Sequence, residues 1–538
     1  MKKIIFLCFA FILMHFFSSA TNIPGGNVSG TWTLGGSPYL IQGAIMIPDG
    51  STLTIEPGVD VIFQGSYKLM VLGRILAIGS VSDSITITAA DTTVGWLGVQ
   101  FDNTPLSNDS SKFYYCNLQY SKSTIGGGAI STVNFPKIII SNCSISHCRA
   151  DAYPGGGAIH CAGGKIIITH CYIADNYSAY SGGGICCENS NPSILYNTFS
   201  NNVASAVGGA IVCLGIYNSS NATISNNIII NNSAHFGGGI YCANNSPKIT
   251  ANFISNNSAS DGGGFYCSSG GLPTVSNNSI SNNTALGGGG GIYCDYTYEI
   301  PTFSNNTVSS NKATRGGGLY CSLGSSVIQY NTIFWGNTAD SSGHQVFLED
   351  ENSDPDFYYC DIQGSTDSFG LNTGIFYTGI YQNNSDTLPL FVAASAGSGT
   401  LYNGITANWS LQASSPCINA GTPDTTGLLI PVTDIAGNPR IEGGRIDVGA
   451  YELGWLSVHE VQNNFLIDIY PNPASDFLII ETPKKSSIEI FDIQGQLIKA
   501  IENDGIKTTI DVKNFSNGIY CIKAKTDGSV SIAKFIKE

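Results

Sequence analysis

Chemistry-bearing side chains are sparse in the central part of this 538-residue sequence. Asp261, Asp295 and Arg315 lie beside runs of glycine. If the fold brought them together, two carboxylates and a basic group could hold a divalent cation or share acid and base work on a glycan. The other central charges, among them Lys165, Asp175, Glu188, Lys248, Glu299 and Lys312, are scattered and share no phase. His147, His160 and His170 are close enough in sequence for a metal site, although isolated exposed histidines are the favoured reading. No CxxC pair and no Cys/His cluster has zinc spacing. Gly287–Gly291 is followed by no Lys-Ser or Lys-Thr, so it is not a phosphate loop. Asp434, Arg440, Arg445 and Asp447 are a tempting catalytic group, and an ion-pair cluster capping the fold is favoured over it. No catalytic residue, metal or cofactor is therefore expected.

The elements that carry these residues form a repeat. GGGIYC at Gly237–Cys242 recurs as GGGFYC at Gly262–Cys267, GGGIYC at Gly289–Cys294 and GGGLYC at Gly316–Cys321. Looser copies end at Cys161, Cys187 and Cys213. A recurring interval that drifts by a few residues marks stacked units with variable turns. Upstream of each glycine run stands a second mark, as in Asn252…Ile254…Asn257 and Asn278…Ile280…Asn283, followed by a small residue such as Ala259 or Ala285. Each unit reads as short strands separated by an Asn corner and a Gly corner, with an apolar period of two and no room for an ordinary helix. Such units close into turns of a parallel β-helix about 4.8 Å apart. Asn suits left-handed corners, and its amide can bond to the Asn one coil above.

Within GGGIYC the aliphatic residue and the Cys share the inward face, so the residue between them points outward. Tyr241, Tyr266, Tyr293 and Tyr320 then form an exposed aromatic stripe over four coils. It could contact sugar rings or a protein partner, or simply be an outer ladder that stabilises neighbouring strands, the slightly favoured reading. The inward Cys row reads as buried thiols in preference to systematic disulfides.

The formal net charge of −15 argues against nucleic acid. Residues 1–20 read as a secretory signal: Lys2 and Lys3, the apolar run Ile4–Phe17, and a cleavage site after Ala20. No later stretch has the length of a membrane helix.

Several stretches resemble known families. Leu53–Val61 and Gly95–Phe101 look like first coils of secreted bacterial parallel β-helices. Gly208–Ile211 and Phe253–Asn256 match the two tetrads of the chlamydial polymorphic outer-membrane proteins; the C-terminus lacks that family's barrel-length array of strands, so autotransport is not implied. The string from Leu411 through Ser415–Gly421, Asp434–Arg440 and Gly443–Glu452 is similar to the choice-of-anchor segment that follows many bacterial β-helices. Tyr470-Pro471-Asn472-Pro473, the Ile488–Gln496 stretch with Gly495, and Asn517–Lys523 with Gly518 closely resemble the C-terminal sorting domain of the type IX secretion system of Bacteroidetes. That resemblance implies export across the outer membrane and removal of the domain in the linker around Leu456–Phe465.

The expected architecture is all-β: a right-handed single-stranded parallel β-helix followed by a small C-terminal β-sandwich. The divisions are a signal at 1–20, β-helix at 21–388 (N-terminal cap and first coils 21–125, GGGIYC repeats 126–340, decaying coils 341–388), closing segment at 389–453, linker at 454–463 and sorting domain at 464–538. The function expected is that of a monomeric, secreted or surface-attached protein acting in adhesion or glycan binding. Its expected partners are the type IX machinery, surface polysaccharide and host or environmental glycan. The alternatives are a polysaccharide lyase or glycoside hydrolase on the same scaffold, and a structural stalk.

Overall fold

The computed structural model describes residues 20–216, 221–296, 300–428, 430–441, 444–453, 467–482, 485–492, 496–503, 507–526 and 529–538. Contacts divide the chain into two units, Met1–Leu453 and Gly454–Glu538. The Ala20 site is described and exposed; the rest of the signal, the linker and Gly495 lie outside the described residues.

The first unit is a parallel solenoid. Three sheets carry 14 parallel strands each, and a fourth carries nine. The first sheet runs from Thr21–Ile23 to Asp361–Ile362, the second from Gly26–Asn27 to Gly370–Leu371, and the third from Gly30–Trp32 to Tyr381–Gln382. The fourth, from Lys122–Ser123 to Thr338–Ser342, is built on the small residue after each Asn mark, so the repeat holds one more short strand than its sequence suggests. Regular coils begin at Thr21 itself. One core of alternating inward residues extends from Val28 to Phe369.

The two Asn of each mark are not themselves the left-handed corners. The residue just before each takes positive φ: Asn201, Asn226, Asn231, Asn256, Asn277, Asn282 and Asn305. The marked Asn turns inward. Asn202, Asn232, Asn257, Asn283 and Asn311 are fully buried. The Asn257 amide donates to Asn283 Oδ1 at 3.0 Å and to the Ile229 carbonyl at 2.9 Å. Its Oδ1 accepts the backbone N–H of Asn232 at 2.9 Å and the Asn232 amide at 3.0 Å. A second row runs through Asn197, Asn227, Asn252, Asn278 and Asn306. Asn–Asn doublets thus divide two jobs: the first residue makes the bend and the second satisfies buried backbone groups.

The glycine runs are dictated by space as well as by conformation. Gly262 has φ +67°, and a Cβ on Gly263 would lie 2.6 Å from the carbonyl oxygen of Gly290 in the next coil. Cys161, Cys187, Cys213, Cys242, Cys267, Cys294 and Cys321 pair in register as an inward row. All described Cys are free thiols, buried except for Cys521.

Residues 389–453 do not simply cap the end of the solenoid. They return along the outside of the first sheet, where Phe391, Trp409, Leu411, Cys417 and Val448 form a small core with Ile333, and Phe253 packs against it. The corner Asn residues beneath donate to this segment: Asn256 to the Tyr402 carbonyl at 2.7 Å, Asn277 to that of Thr433 at 2.9 Å, Asn282 to that of Gly397 at 2.9 Å, and Asn305 to that of Asp447 at 3.1 Å.

The second unit contains two antiparallel sheets. One pairs Asp468–Tyr470, Phe477–Glu481 and Lys507–Asp511; the other orders Leu497–Asn503, Ser486–Phe491, Gly518–Thr526 and Ser529–Lys537. Tyr470 ends the first strand of this unit, and Pro471 to Pro473 lead to the buried Ala474. Asn472 accepts the Ile536 N–H at 2.9 Å and donates to the Lys534 carbonyl at 3.2 Å, tying this turn to the last strand. Gly518 opens the strand Gly518–Thr526.

Candidate functional surfaces

The tyrosine row exists, and strand register creates it: Tyr241, Tyr266, Tyr293 and Tyr320 are paired in successive coils of the second sheet. Successive ring centroids lie 5.3, 4.7 and 4.7 Å apart. Phe347 extends the stack at 5.0 Å, a member hidden in the sequence because the repeat has decayed there. The expected exposure is not found. Tyr266 and Tyr320 are only 6% and 5% exposed, and Tyr241 and Tyr293 are half-buried. Each ring face is spent on its neighbour, and Phe236 closes on Tyr266 at 5.3 Å. The hydroxyls turn to the next outward column, where Tyr266 donates to Asp295 Oδ2 at 2.7 Å and Ser322 donates to the Tyr293 hydroxyl at 3.1 Å. Burial pushes the Tyr241 phenol up to about 12 and raises the other three further. Burial also raises Asp295, opposed by hydrogen bonds from Ser268 and Tyr266. These phenols are held neutral rather than activated.

The remaining candidates are dispersed. Asp261 accepts the Gly288 N–H at 2.7 Å and acts on Asp295 only as a like charge, while Arg315 lies over the Phe347 ring at 5.4 Å with no ion pair to either carboxylate among the described residues. His147 stacks on Tyr120 and His170 on Tyr196, both exposed. His160 differs from the expectation, being 4% exposed with Nε2 3.4 Å from Glu188. No group of three His, Cys, Asp or Glu suited to a metal ion occurs among the described residues.

The charged group of the closing segment does assemble, with a member that the sequence does not single out. Arg440 is 2% exposed, and its Nη1 lies 3.4 Å from Oε2 of Glu452. Arg440 Nη2 donates to the Gly449 carbonyl. Asp434 accepts the N–H groups of Ala436, Asn438 and Glu452; Asp447 accepts those of Asn419 and Leu453. Arg445 caps the carbonyls of Ala420 and Gly421. Burial raises Glu452 to about 8 against the pull of Arg440, and raises Asp447 as well. These groups lock the segment's own turns. Glu452 ends the Gly443–Glu452 string, but only the fold shows that it, not Asp434 or Asp447, pairs with Arg440.

Comparison with known families follows this geometry. Residues 105–280 and 237–362 match the right-handed beta helix region, which defines the class: a parallel β-helix protein. Residues 468–538 match the secretion system C-terminal sorting domain. The chain is thus a secreted β-helix protein of the type IX route, from the Bacteroidetes, attached at the outer-membrane surface. No curated protein matches it significantly. No helix among the described residues is long and apolar enough to cross a membrane.

Proposed function

We propose that this surface protein acts in adhesion by binding extracellular glycan, without catalysis. The observation that supports this most is how the ionisable groups are employed. The Arg440–Glu452 cluster holds together turns of the closing segment, and Asp295 holds a tyrosine hydroxyl. The outer faces, in contrast, present side chains in columns repeated at the coil spacing, suited to a repeating polymer. Because the Tyr241–Tyr320 row has stacked ring faces, its contribution to binding comes through ring edges and hydroxyls, chiefly those of half-buried Tyr241 and Tyr293.

Challenge of the secreted protein with a glycan panel tests this directly. Specific retention without shortening of the glycan is the expected result; depolymerisation of any uronate or neutral glycan would replace it with the lyase or hydrolase reading, for which the Tyr266–Asp295 pair is the specific observation. Deleting residues 464–538 should strand the protein inside the cell, and normal export of the deletant would remove the surface role.

A further inference from the structure

The closing segment covers only a portion of the face on which it lies. One column of the first sheet runs Tyr172, Thr198, Ile228, Phe253 in register. Phe253 is packed under the segment, while Tyr172 and Ile228 are 48% and 44% exposed. The corner rows on either side of the sheet change at the same place. Asn256, Asn277, Asn282 and Asn305 are buried and donate to the segment; Asn201 and Asn231, in the same structural position as Asn256 and Asn282, are exposed.

The face is a trough. Its floor column runs Ala174, Ser200, Ile230, Ser255, Ser281 in register, small at every position but Ile230, which stands where the open part meets the covered one. The segment presses into it, since a Cβ on Gly404 would lie 2.4 Å from Ser255 Oγ. The wall positions are five residues apart, as Tyr196 and Asn201 are, so the walls stand at most roughly 16 Å apart. Along the covered coils Asn277 and Asn305 on one wall and Asn256 and Asn282 on the other hold peptide carbonyls, with Ala251 and Ser310 at the remaining corners. Along the open coils the wall of Asn201 and Asn231, with Asp175 before them, is polar, while the opposite wall is aromatic at His170 and Tyr196 and returns to amide at Asn226. Tyr196 is 55% exposed and stacked on His170 at 5.2 Å, beside Tyr172.

We infer that this open trough is a binding site for a neutral glycan, an inference that rests on the glycan-binding reading above. A sugar ring has an apolar face and a hydroxyl edge, and a trough with one aromatic wall and one amide wall offers both partners at once. A polypeptide seat, as the covered coils show, uses amide donors on both sides. Asp175 is the one acidic side chain of the walls, and the chain carries a net charge of −15, so an anionic glycan is disfavoured.

The test uses the secreted protein on an array of neutral oligosaccharides, with calorimetry on the strongest binder. Replacing both rings, Tyr172→Ala with Tyr196→Ala, should weaken binding about tenfold or more, the loss of an aromatic contact. The unfolding midpoint should stay unchanged. Thr198→Arg, which fills the trough and removes no ring, should abolish binding independently. Unchanged affinity in folded samples of both variants would overturn this site while leaving glycan binding in place. Absence of any glycan binding by the unaltered protein would overturn the site and the wider reading together. Capture at the trough of a peptide copying residues 395–404, with no glycan bound, would assign it to polypeptide and refute the inference.

Discussion

The asparagine rows of the solenoid and the charged cluster of residues 434–452 face one problem, polar groups shut away from water, and solve it in opposite ways. The rows use neutral amides. Each mid-row Asn has both donors and its oxygen engaged by neighbours one coil away, so the solution is local and can be copied indefinitely. The closing segment uses one buried arginine among three carboxylates, a solution made once. A repeated neutral ladder degrades gradually when one member is lost. A single buried arginine–glutamate pair holds its whole segment or releases it, because removing one partner leaves the polar groups of the other buried and unmatched.

The largest effect should therefore come from the cluster. Arg440→Ala should destabilise the closing segment by about 3–5 kcal/mol, the usual consequence of breaking a buried pair. Limited proteolysis should then cut within residues 389–453 while the coils before Phe253 stay resistant. Loss of the whole solenoid in one step would show that segment and coils form one cooperative body, and would erase the contrast.

A break in the ladder comes next. Asn257→Ala leaves the Asn232 backbone N–H and amide without their acceptor, at about 1–3 kcal/mol for such buried groups. Amide exchange should rise in the coils around residues 232–283 and remain unchanged near Val61. A uniform rise along the solenoid would contradict the local, additive picture.

The ends of the rows sharpen the same point. Below Asn197 the slot is filled by Cys171, Cys143 and Cys116, and above Asn306 by Thr332 and Cys360. Cys171 can still bond its N–H to Asn197 Oδ1 at 2.9 Å, but its own sulfur is a weak substitute for an amide. Cys171→Asn should therefore extend the row and leave stability unchanged or raise it by up to about 1 kcal/mol, measured by chemical unfolding. Clear destabilisation would mean that packing, not hydrogen bonding, decides these slots.

How much of this was legible in the sequence follows the same division. The Asn and GGGIYC marks revealed the solenoid because each coil repeats the experiment, and the period of two fixed which side of each strand faces inward. What escaped is whatever depends on two coils or segments meeting. The inward and outward members of an Asn–Asn doublet are identical as letters. The Tyr266 ring is outward in register yet covered, because Phe236 and the next tyrosines lie against it. The return of residues 389–453 along the first sheet joins positions more than a hundred residues apart, such as Asn282 and Gly397, and no local pattern encodes that pairing. Arg440, Asp434 and Asp447 were visible as a group, but their partner Glu452 needed the fold.

The smallest effect is a pH dependence confined to the cluster. Three carboxylates, Asp434, Asp447 and Glu452, and the cations Arg440 and Arg445 bear on this site. Burial raises Glu452 from 4.5 to about 8 and raises Asp447 in the same direction. A carboxyl whose folded pKa exceeds its unfolded value binds its proton more tightly when folded, so the stability it contributes is complete below the unfolded value and is lost as pH rises through the folded one. For Glu452 that window runs from 4.5 to about 8. The closing segment should loosen as pH rises across it, seen as faster exchange at residues 450–453 after correction for the intrinsic rate. The asparagine rows, having nothing to titrate, should not respond. Glu452→Gln should flatten the profile; protection that instead grows from pH 5 to 8 would mean that the Arg440 pairing outweighs burial, and that the cluster is held by its charges and not by a shared proton.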